Sequence, residues 1–300
     1  MNKVLVWISA MRLRTLPLSL SGIVLASCFA EYNGCFKWNI FILAILTTLS
    51  FQILSNLAND YGDGVKGTDN EDRIGPNRTV QSGSISSEAM LGGIKTSILI
   101  SIILALMLIF VAFGVRHFWL TITFFLLGIA AVVSAIRYTI GSNPYGYRAK
   151  GDIFVFVFFG LVSVIGGYVL YAKHMDHVVI LPALIIGILS AAVLNLNNMR
   201  DIESDKKSNK ITLAVKLGLK NIKLYHLFLI ASATILSILF GILYFVRIYN
   251  FLFVIAFVPL VLHFLKVYRI KDPKQFDPEL KKLALTTFLL AVLMGIGYLL

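Results

Sequence analysis

Nine uninterrupted apolar runs, each close to the length of a bilayer-crossing helix, constrain this chain more than anything else in it. They fall near 15–31, 39–57, 94–113, 118–136, 153–171, 178–198, 224–245, 251–267 and 283–300. A helix needs about 20 mostly apolar residues to cross the hydrocarbon core. The runs are continuous rather than alternating, which specifies helices and not barrel strands. Only 14% of the residues are charged and 58% are hydrophobic, whereas a soluble domain carries roughly 25% charged residues. Such a chain could not hide its apolar surface from water. That excludes an ordinary soluble enzyme, a disordered chain and a nucleic-acid binder, despite a formal charge of +12. Cys28 and Cys35 are too few for a disulfide framework or a cysteine metal site. No linker or compositional shift divides the sequence, so residues 1–300 are expected to form one multi-pass, all-α unit.

The loops alternate in charge. Of 27 Lys and Arg, only Lys37, Arg116, Lys173 and Arg247 fall on one side of the expected membrane. The positive-inside rule then places the amino terminus in the cytoplasm and, after nine spans, the carboxyl terminus outside. Two loops on the basic side are long, about 58–93 and 199–223, and connections of that length tend to carry function.

Of 15 acidic residues, only Glu31 and Asp176 lie away from the basic side. Two groups form among the rest: Asp60, Asp63, Asp69, Glu71 and Asp72, and then Asp201, Glu203 and Asp205. On a helix, Asn56, Asp60 and Asp63 are i, i+4 and i+7 and share a face; Asn198, Asp201 and Asp205 are i, i+3 and i+7 and do the same. Either set alone could be a solvated helix end paired with lysines. Two sets of matching geometry at span ends on one side favour a cation, because carboxylates stacked a turn apart repel each other and are costly near the membrane. The ligand atoms are all oxygens, the preference of Mg²⁺, which binds through a few carboxylates plus substrate phosphate. Histidine is scarce and lies elsewhere, so zinc is not indicated.

Cations stand beside the acids. Arg73 and Arg78 follow the first group, and Lys206, Lys207 and Lys210 follow the second. Arg12 and Arg14 enter the first span, and Arg148 and Lys150 precede the fifth. Arg offers a fork and Lys a point charge to a phosphate. A diphosphate head at the surface with an apolar body in the bilayer fits this mouth, as in a polyprenyl diphosphate. Metal would stabilise the charge that develops as the allylic bond breaks, and an apolar cavity would keep water from the carbocation. Aromatic faces can stabilise cationic carbon, and Tyr138, Tyr145, Tyr147 and the run Phe154 to Phe159 are candidates. The stretch from Tyr138 to Asp152 is rich in turn formers and reads as an ordered loop. Asp152 either orients an acceptor hydroxyl or base, or caps the fifth helix.

At these residues the sequence resembles the UbiA superfamily of intramembrane aromatic prenyltransferases. The resemblance implies nine transmembrane helices around a central cavity, with two Asp-rich motifs facing each other across its cytoplasmic mouth. Asn56, Asp60 and Asp63 match the first motif and Asp201 and Asp205 the second; in the family these hold Mg²⁺ and diphosphate. Arg78 and Lys210 match the basic residues that follow each motif and that the family assigns to diphosphate. Within the superfamily the chain looks most like the branch acting on 1,4-dihydroxy-2-naphthoate. Arg14 to Pro17, Asn59 to Asp63 with Gly67 to Asp69, Arg73 to Gly83, Tyr145 to Tyr147 with Gly151 to Phe156, and Asn197 through Lys210 to Ala214 carry that likeness.

The resemblance implies Mg²⁺ as cofactor, with Asn56, Asp60, Asp63, Asn198, Asp201 and Asp205 as ligands. It also implies polyprenyl diphosphate held by Arg14, Asn56, Arg78 and Lys210. The acceptor or carbocation would meet Tyr138, Asn143, Tyr147, Arg148 and Asp152. Products would be demethylmenaquinone, CO₂ and diphosphate, made at the cytoplasmic face of a bacterial cell membrane. Another acceptor, 4-hydroxybenzoate or haem, and an ion-coupled transporter stand as alternatives. The third Asp of many members is here Gly67, for which Asp69 would substitute. The usual Gly before the second basic residue is Asn209, which tolerates left-handed backbone.

Overall fold

A computed structural model describes residues 3–68, 74, 75 and 78–300. Among the described residues nine helices are long and apolar enough to span a bilayer. They are α1 (Lys3–Tyr32), α2 (Trp38–Val65), α3 (Ser87–Phe113), α4 (Phe118–Arg137), α5 (Gly151–Ala172), α6 (His177–Arg200), α7 (Leu213–Leu243), α8 (Ile248–Arg269) and α9 (Pro273–Leu299). All nine expected spans are present. Several run longer than their apolar cores. At 1.5 Å per residue, the 28 residues of α2 extend about 42 Å, against a hydrocarbon core of about 30 Å. Its last turns therefore project beyond the apolar layer, and these turns carry Asn56 to Asp63.

The outer faces are apolar. Phe110, Trp119 and Phe228 are largely exposed, and α4 has no buried residue. Lipid tails are the solvent such faces require. Consecutive helices are joined by short turns at one end, so the loops after α2, α4 and α6 gather at the other. α1 packs on α2, α5 and α9; α6 packs on α5, α7 and α9; α3 and α4 lean on α2. A cavity remains between α1, α2, α4, α5 and α6.

Two local breaks shape that cavity, and a third bends α7. α1 is interrupted at Arg12, whose backbone is left-handed at φ 51°, and resumes through a short 3₁₀ turn with Pro17 in its first turn. Residues Phe156–Gly166 of α5 form a wide π-turn stretch, a form that commonly marks functional segments. There α5 meets α6 closely: a Cβ on Gly160 would lie 2.5 Å from the Ala183 carbonyl oxygen. α7 bends at Gly218, where φ is +74°, a conformation that glycine adopts without strain.

Candidate active site

The two acidic groups meet at one end of the cavity. Lys210 Nζ lies 3.3 Å from Asp63 Oδ2 and 3.5 Å from Asp205 Oδ1. Asp63 ends α2, whereas Asp205 sits on the short helix Ile202–Lys207 after α6. One buried ammonium thus spans both motifs. Burial opposes its charge, but Asp63 and Asp205 outweigh that and hold its pKa well above the usual lysine value. Burial also pushes the Asp205 carboxyl up to about 6; Lys210 opposes that rise, and nearby Asp201 and Asp63 add to it. Asn209 is left-handed at φ 55°, as expected, and turns the chain so that Lys210 reaches back.

Asp63 is oriented from a second side. The Tyr147 hydroxyl donates to Asp63 Oδ1 at 2.7 Å, so it must accept from Thr68 Oγ1, 2.6 Å away. Burial and the Asp63 charge raise the Tyr147 pKa, which keeps that hydroxyl protonated. Its ring lies under the ammonium groups of Lys66 and Lys210, at 4.7 Å and 5.4 Å from the ring centre. Ser204 Oγ donates to the Thr68 carbonyl at 3.4 Å, tying the loop after α2 to the helix after α6.

The cavity below this mouth is about 390 Å³, within the range of small-molecule sites. Arg12, Asn59, Asp63, Arg78, Asp201, Asp205 and Lys210 line its mouth, and its depth is apolar, with Ala44, Leu108, Ile109, Phe124 and Leu170. An aromatic wall joins the two zones. Tyr145 stacks on Phe154 at 3.9 Å between ring centres, Phe154 stacks on Phe158, and Tyr138 meets Tyr145 edge-on. Tyr138, Tyr145, Phe154, Phe158 and Phe159 all line the cavity.

Several expected site residues take other places. Asp60 is fully buried but does not line the cavity. It accepts from Thr79 N at 3.2 Å, Thr79 Oγ1 at 2.7 Å and Val80 N at 3.3 Å, and so fixes the loop that presents Arg78. The reason is helical phase: Asn59, not Asp60, shares the cavity-facing side with Asp63. Asn56 lines the cavity with both ends of its amide engaged. Its Nδ2 donates to the Met11 carbonyl at 2.9 Å and its Oδ1 accepts from Gln52. Asn198 is buried away from the cavity, and Asn197 faces it instead.

Arg14 is exposed, and the break at Arg12 sends Arg12 to the cavity in its place. Asn143 and Arg148 are exposed and line nothing there. Asp152 neither lines the cavity nor caps α5, whose cap position is Lys150 without a side-chain bond; Asp152 pairs instead with Tyr225. Asp69, Glu71, Asp72 and Arg73 lie outside the described residues. A signal for the missed residues was present: Asn59-x-x-x-Asp63 and Asn197-x-x-x-Asp201-x-x-x-Asp205 repeat one spacing.

Among the described residues no three His, Cys, Asp or Glu side chains form a ready-made metal cage. The donor chemistry still suits Mg²⁺. The carboxylates of Asp63, Asp201 and Asp205 are hard oxygen donors at a mouth that also offers Arg78 and Lys210, and Mg²⁺ in such sites needs only one or two carboxylates when phosphate supplies the rest.

Comparison with known proteins identifies the family. Residues 20–298 match the model of the UbiA prenyltransferase family. The chain is 39% identical over 300 residues to a Haemophilus influenzae protein named 1,4-dihydroxy-2-naphthoate octaprenyltransferase, covering 99% of this chain and 97% of that one. An Escherichia coli protein of the same name is 40% identical, covering 96% of this chain and 94% of that one. A UbiA homologue of Archaeoglobus fulgidus, solved with GPP and Mg²⁺, shares the fold: TM-score 0.58, 15% identity, 97% of this chain and 100% of that chain covered. Nine membrane-length helices among the described residues, a cavity whose mouth joins two acidic motifs, and matches along nearly the whole sequence lead to one conclusion: the chain is a member of the UbiA prenyltransferase family.

Proposed function

We propose that this protein transfers a polyprenyl group from polyprenyl diphosphate to 1,4-dihydroxy-2-naphthoate, with loss of the acceptor's carboxylate. The allylic C–O bond breaks and its electron pair leaves with diphosphate. The allylic carbon then bonds the ring carbon that bears the carboxylate, and CO₂ departs with restoration of the aromatic ring. The observation that carries this reading is the convergence of Asp63, Asp205 and Lys210 over an apolar cavity. Relatives of the same length that are named for the naphthoate acceptor support the choice of substrate.

In this reading Asp63, Asp201 and Asp205 hold Mg²⁺, which when bound neutralises the departing diphosphate charge. Lys210 and Arg78 take diphosphate oxygens, and Asp60 aims Arg78 through the Thr79–Val80 backbone. Tyr147 and Thr68 hold Asp63 in one orientation, with Asn56 tying α1 to α2. The aromatic wall from Tyr138 to Phe158 faces the allylic carbon and offers ring faces to developing positive charge. The apolar depth sheathes the prenyl tail and excludes water. Basic loops share a side with the mouth, so the reaction occurs at the cytoplasmic face of a bacterial cell membrane, in one functional unit with its amino terminus inside and its carboxyl terminus outside.

Purified protein in lipid nanodiscs, supplied with the naphthoate, a polyprenyl diphosphate and Mg²⁺, is expected to form a prenylated, decarboxylated naphthoquinol detectable by mass. Product from 4-hydroxybenzoate or haem in preference to the naphthoate would overturn the acceptor assignment. An ion-coupled transporter is disfavoured because its charges would be expected near the midplane, whereas here they sit at helix ends.

A further inference from the structure

Arg200, the last residue of α6, is 1% exposed, and the function proposed above leaves it without a task. Its hydrogen-bonding edges are engaged. Nε donates to Asp201 Oδ1 at 2.9 Å and Nη2 to Asp201 Oδ2 at 2.7 Å. Nη2 also donates to Asn197 Oδ1 at 2.9 Å, and Nη1 to Asp277 Oδ1 at 2.6 Å. Asp277 belongs to the first turn of the α9 helix, so the guanidinium links a distant helix to the second acidic motif. A strut between α6 and α9 would need only the bond to Asp277. Here the remaining donors are spent on Asp201 and Asn197, both of which line the cavity.

The bond to Asn197 has a chemical consequence. Guanidinium has no acceptor, so only the amide oxygen can face Arg200. That oxygen is thereby turned toward Arg200. The amide nitrogen, which bonds to no described residue, remains for the cavity. Asn197 so held presents its N–H donors, suited to a phosphate oxygen, at the end away from Arg200.

We propose that Arg200, anchored on α9 through Asp277, is a positioning residue that locks the Asp201 carboxylate and turns Asn197 so that the diphosphate meets an amide N–H. This rests on the reading of the cavity as a prenyl diphosphate site. The fork engages both Asp201 oxygens and so fixes the plane of the carboxylate. Lysine cannot replace this role, since a point charge does not fix a carboxylate plane and an amide together. Partners that orient metal ligands from behind typically contribute about 10- to 100-fold in metal affinity or activity.

The test compares Arg200→Lys, Asp277→Asn and Asn197→Asp with wild-type protein in nanodiscs. Arg200→Lys and Asp277→Asn are expected to lower kcat about 10- to 100-fold and to raise the Mg²⁺ concentration for half-activity, leaving the KM for naphthoate unchanged. Asn197→Asp retains an acceptor for Arg200 but loses the donor. It is expected to raise the KM for prenyl diphosphate and to weaken inorganic pyrophosphate binding by calorimetry, with no gain in Mg²⁺ affinity. Tighter Mg²⁺ binding with an unchanged diphosphate KM in Asn197→Asp would overturn the proposal, as would wild-type kcat and Mg²⁺ requirement in Arg200→Lys. If Arg200→Lys does not fold, Asn197→Asp, which keeps the pairing, decides alone. Absence of product from wild-type protein would defeat the functional reading, whereas pyrophosphate binding to Asn197→Asp still judges the clamp.

Discussion

The ammonium of Lys210 lies 3.3 Å from Asp63 Oδ2, although 147 residues separate the two in sequence. With Asp205 3.5 Å away on its other side, Lys210 neutralises two carboxylates that would otherwise repel across the cavity mouth. Its ammonium also sits over the ring of Tyr147, 5.4 Å from the centre, so the aromatic face helps to hold the charge in place.

Replacing Lys210 with Met should therefore act in two ways. Without Mg²⁺ the protein loses the cation between two buried acids, and removal of one partner from such a set costs about 3–5 kcal/mol. Added Mg²⁺ should restore part of the lost melting temperature, because it supplies the missing positive charge. Activity should stay low even at saturating Mg²⁺, since the diphosphate loses a direct partner. Thermal melts of Lys210→Met with and without Mg²⁺, alongside turnover, check both effects. Equal melting in the two conditions would count against a metal between the motifs.

Asp60 and Asp63 should separate by kinetics. Asp60→Ala strips partners from Thr79 and Val80, and each buried group left unsatisfied costs about 1–3 kcal/mol. It loosens Arg78, so the KM for prenyl diphosphate should rise and the protein should melt earlier. Asp63→Ala removes a cavity-facing carboxylate, and its main effect should be on kcat. Steady-state kinetics with melting curves for both variants distinguish a loop anchor from a group at the reacting end. An Asp60→Ala enzyme with normal KM and lower kcat would reverse the assignment.

The sequence was most legible where the physics is one-dimensional. Each apolar run from the second to the ninth announced its helix because the bilayer demands length and little else. That the two acidic motifs share one end of the bundle was legible from their place at the ends of the second and sixth runs. What failed was phase within a turn. Asp60 and Asn198 sit one residue from Asn59 and Asn197, and a rotation of about 100° per residue sends them away from the cavity. Arg14 failed for a different reason: the left-handed break at Arg12 resets the helix phase, and no local pattern in Met11 to Thr15 encodes that. Asp152 was drawn to Tyr225 by a tertiary contact that the sequence of α5 alone does not contain.

Acid should weaken the metal requirement's reward. Burial raises the Asp205 carboxyl from 3.8 to about 6. A raised carboxyl favours the protonated fold: that contribution to stability is complete below the unfolded value and is lost as pH climbs through about 6. Metal-free protein should thus lose stability as pH rises from 5 to 7.5, on this group's account. Mg²⁺ needs the ionised form, so the rise in melting temperature on adding Mg²⁺ should grow over the same interval. Turnover should fall on the acid side near pH 6. A Mg²⁺ stabilisation that is flat across this range would remove Asp205 from the metal's partners. Asp205→Asn should flatten it in the same way and serves as the control.

Cavity depth should set which prenyl chains are used. Along α2 the lining runs from Asp63 to Ala44, 19 positions, which at 1.5 Å per residue is about 28 Å. Ala44 is small and packs at the far end near Leu108, Ile109 and Leu170, where the tail of a long donor would lie. Ala44→Phe places a ring in that end without touching the mouth. Extra volume in a packed interior costs about 1–3 kcal/mol, so the variant should fold with a modest drop in melting temperature. A short donor such as geranyl diphosphate reaches only the upper cavity, and its kcat/KM should change little. A long polyprenyl donor must bend or leave its tail outside, and its kcat/KM should fall by tenfold or more if even ~1.4 kcal/mol of tail binding is lost. The ratio of the two donors, measured on one protein preparation, is independent of how much enzyme survives purification. An unchanged ratio would mean that the tail leaves the cavity sideways, between helices, before it reaches Ala44.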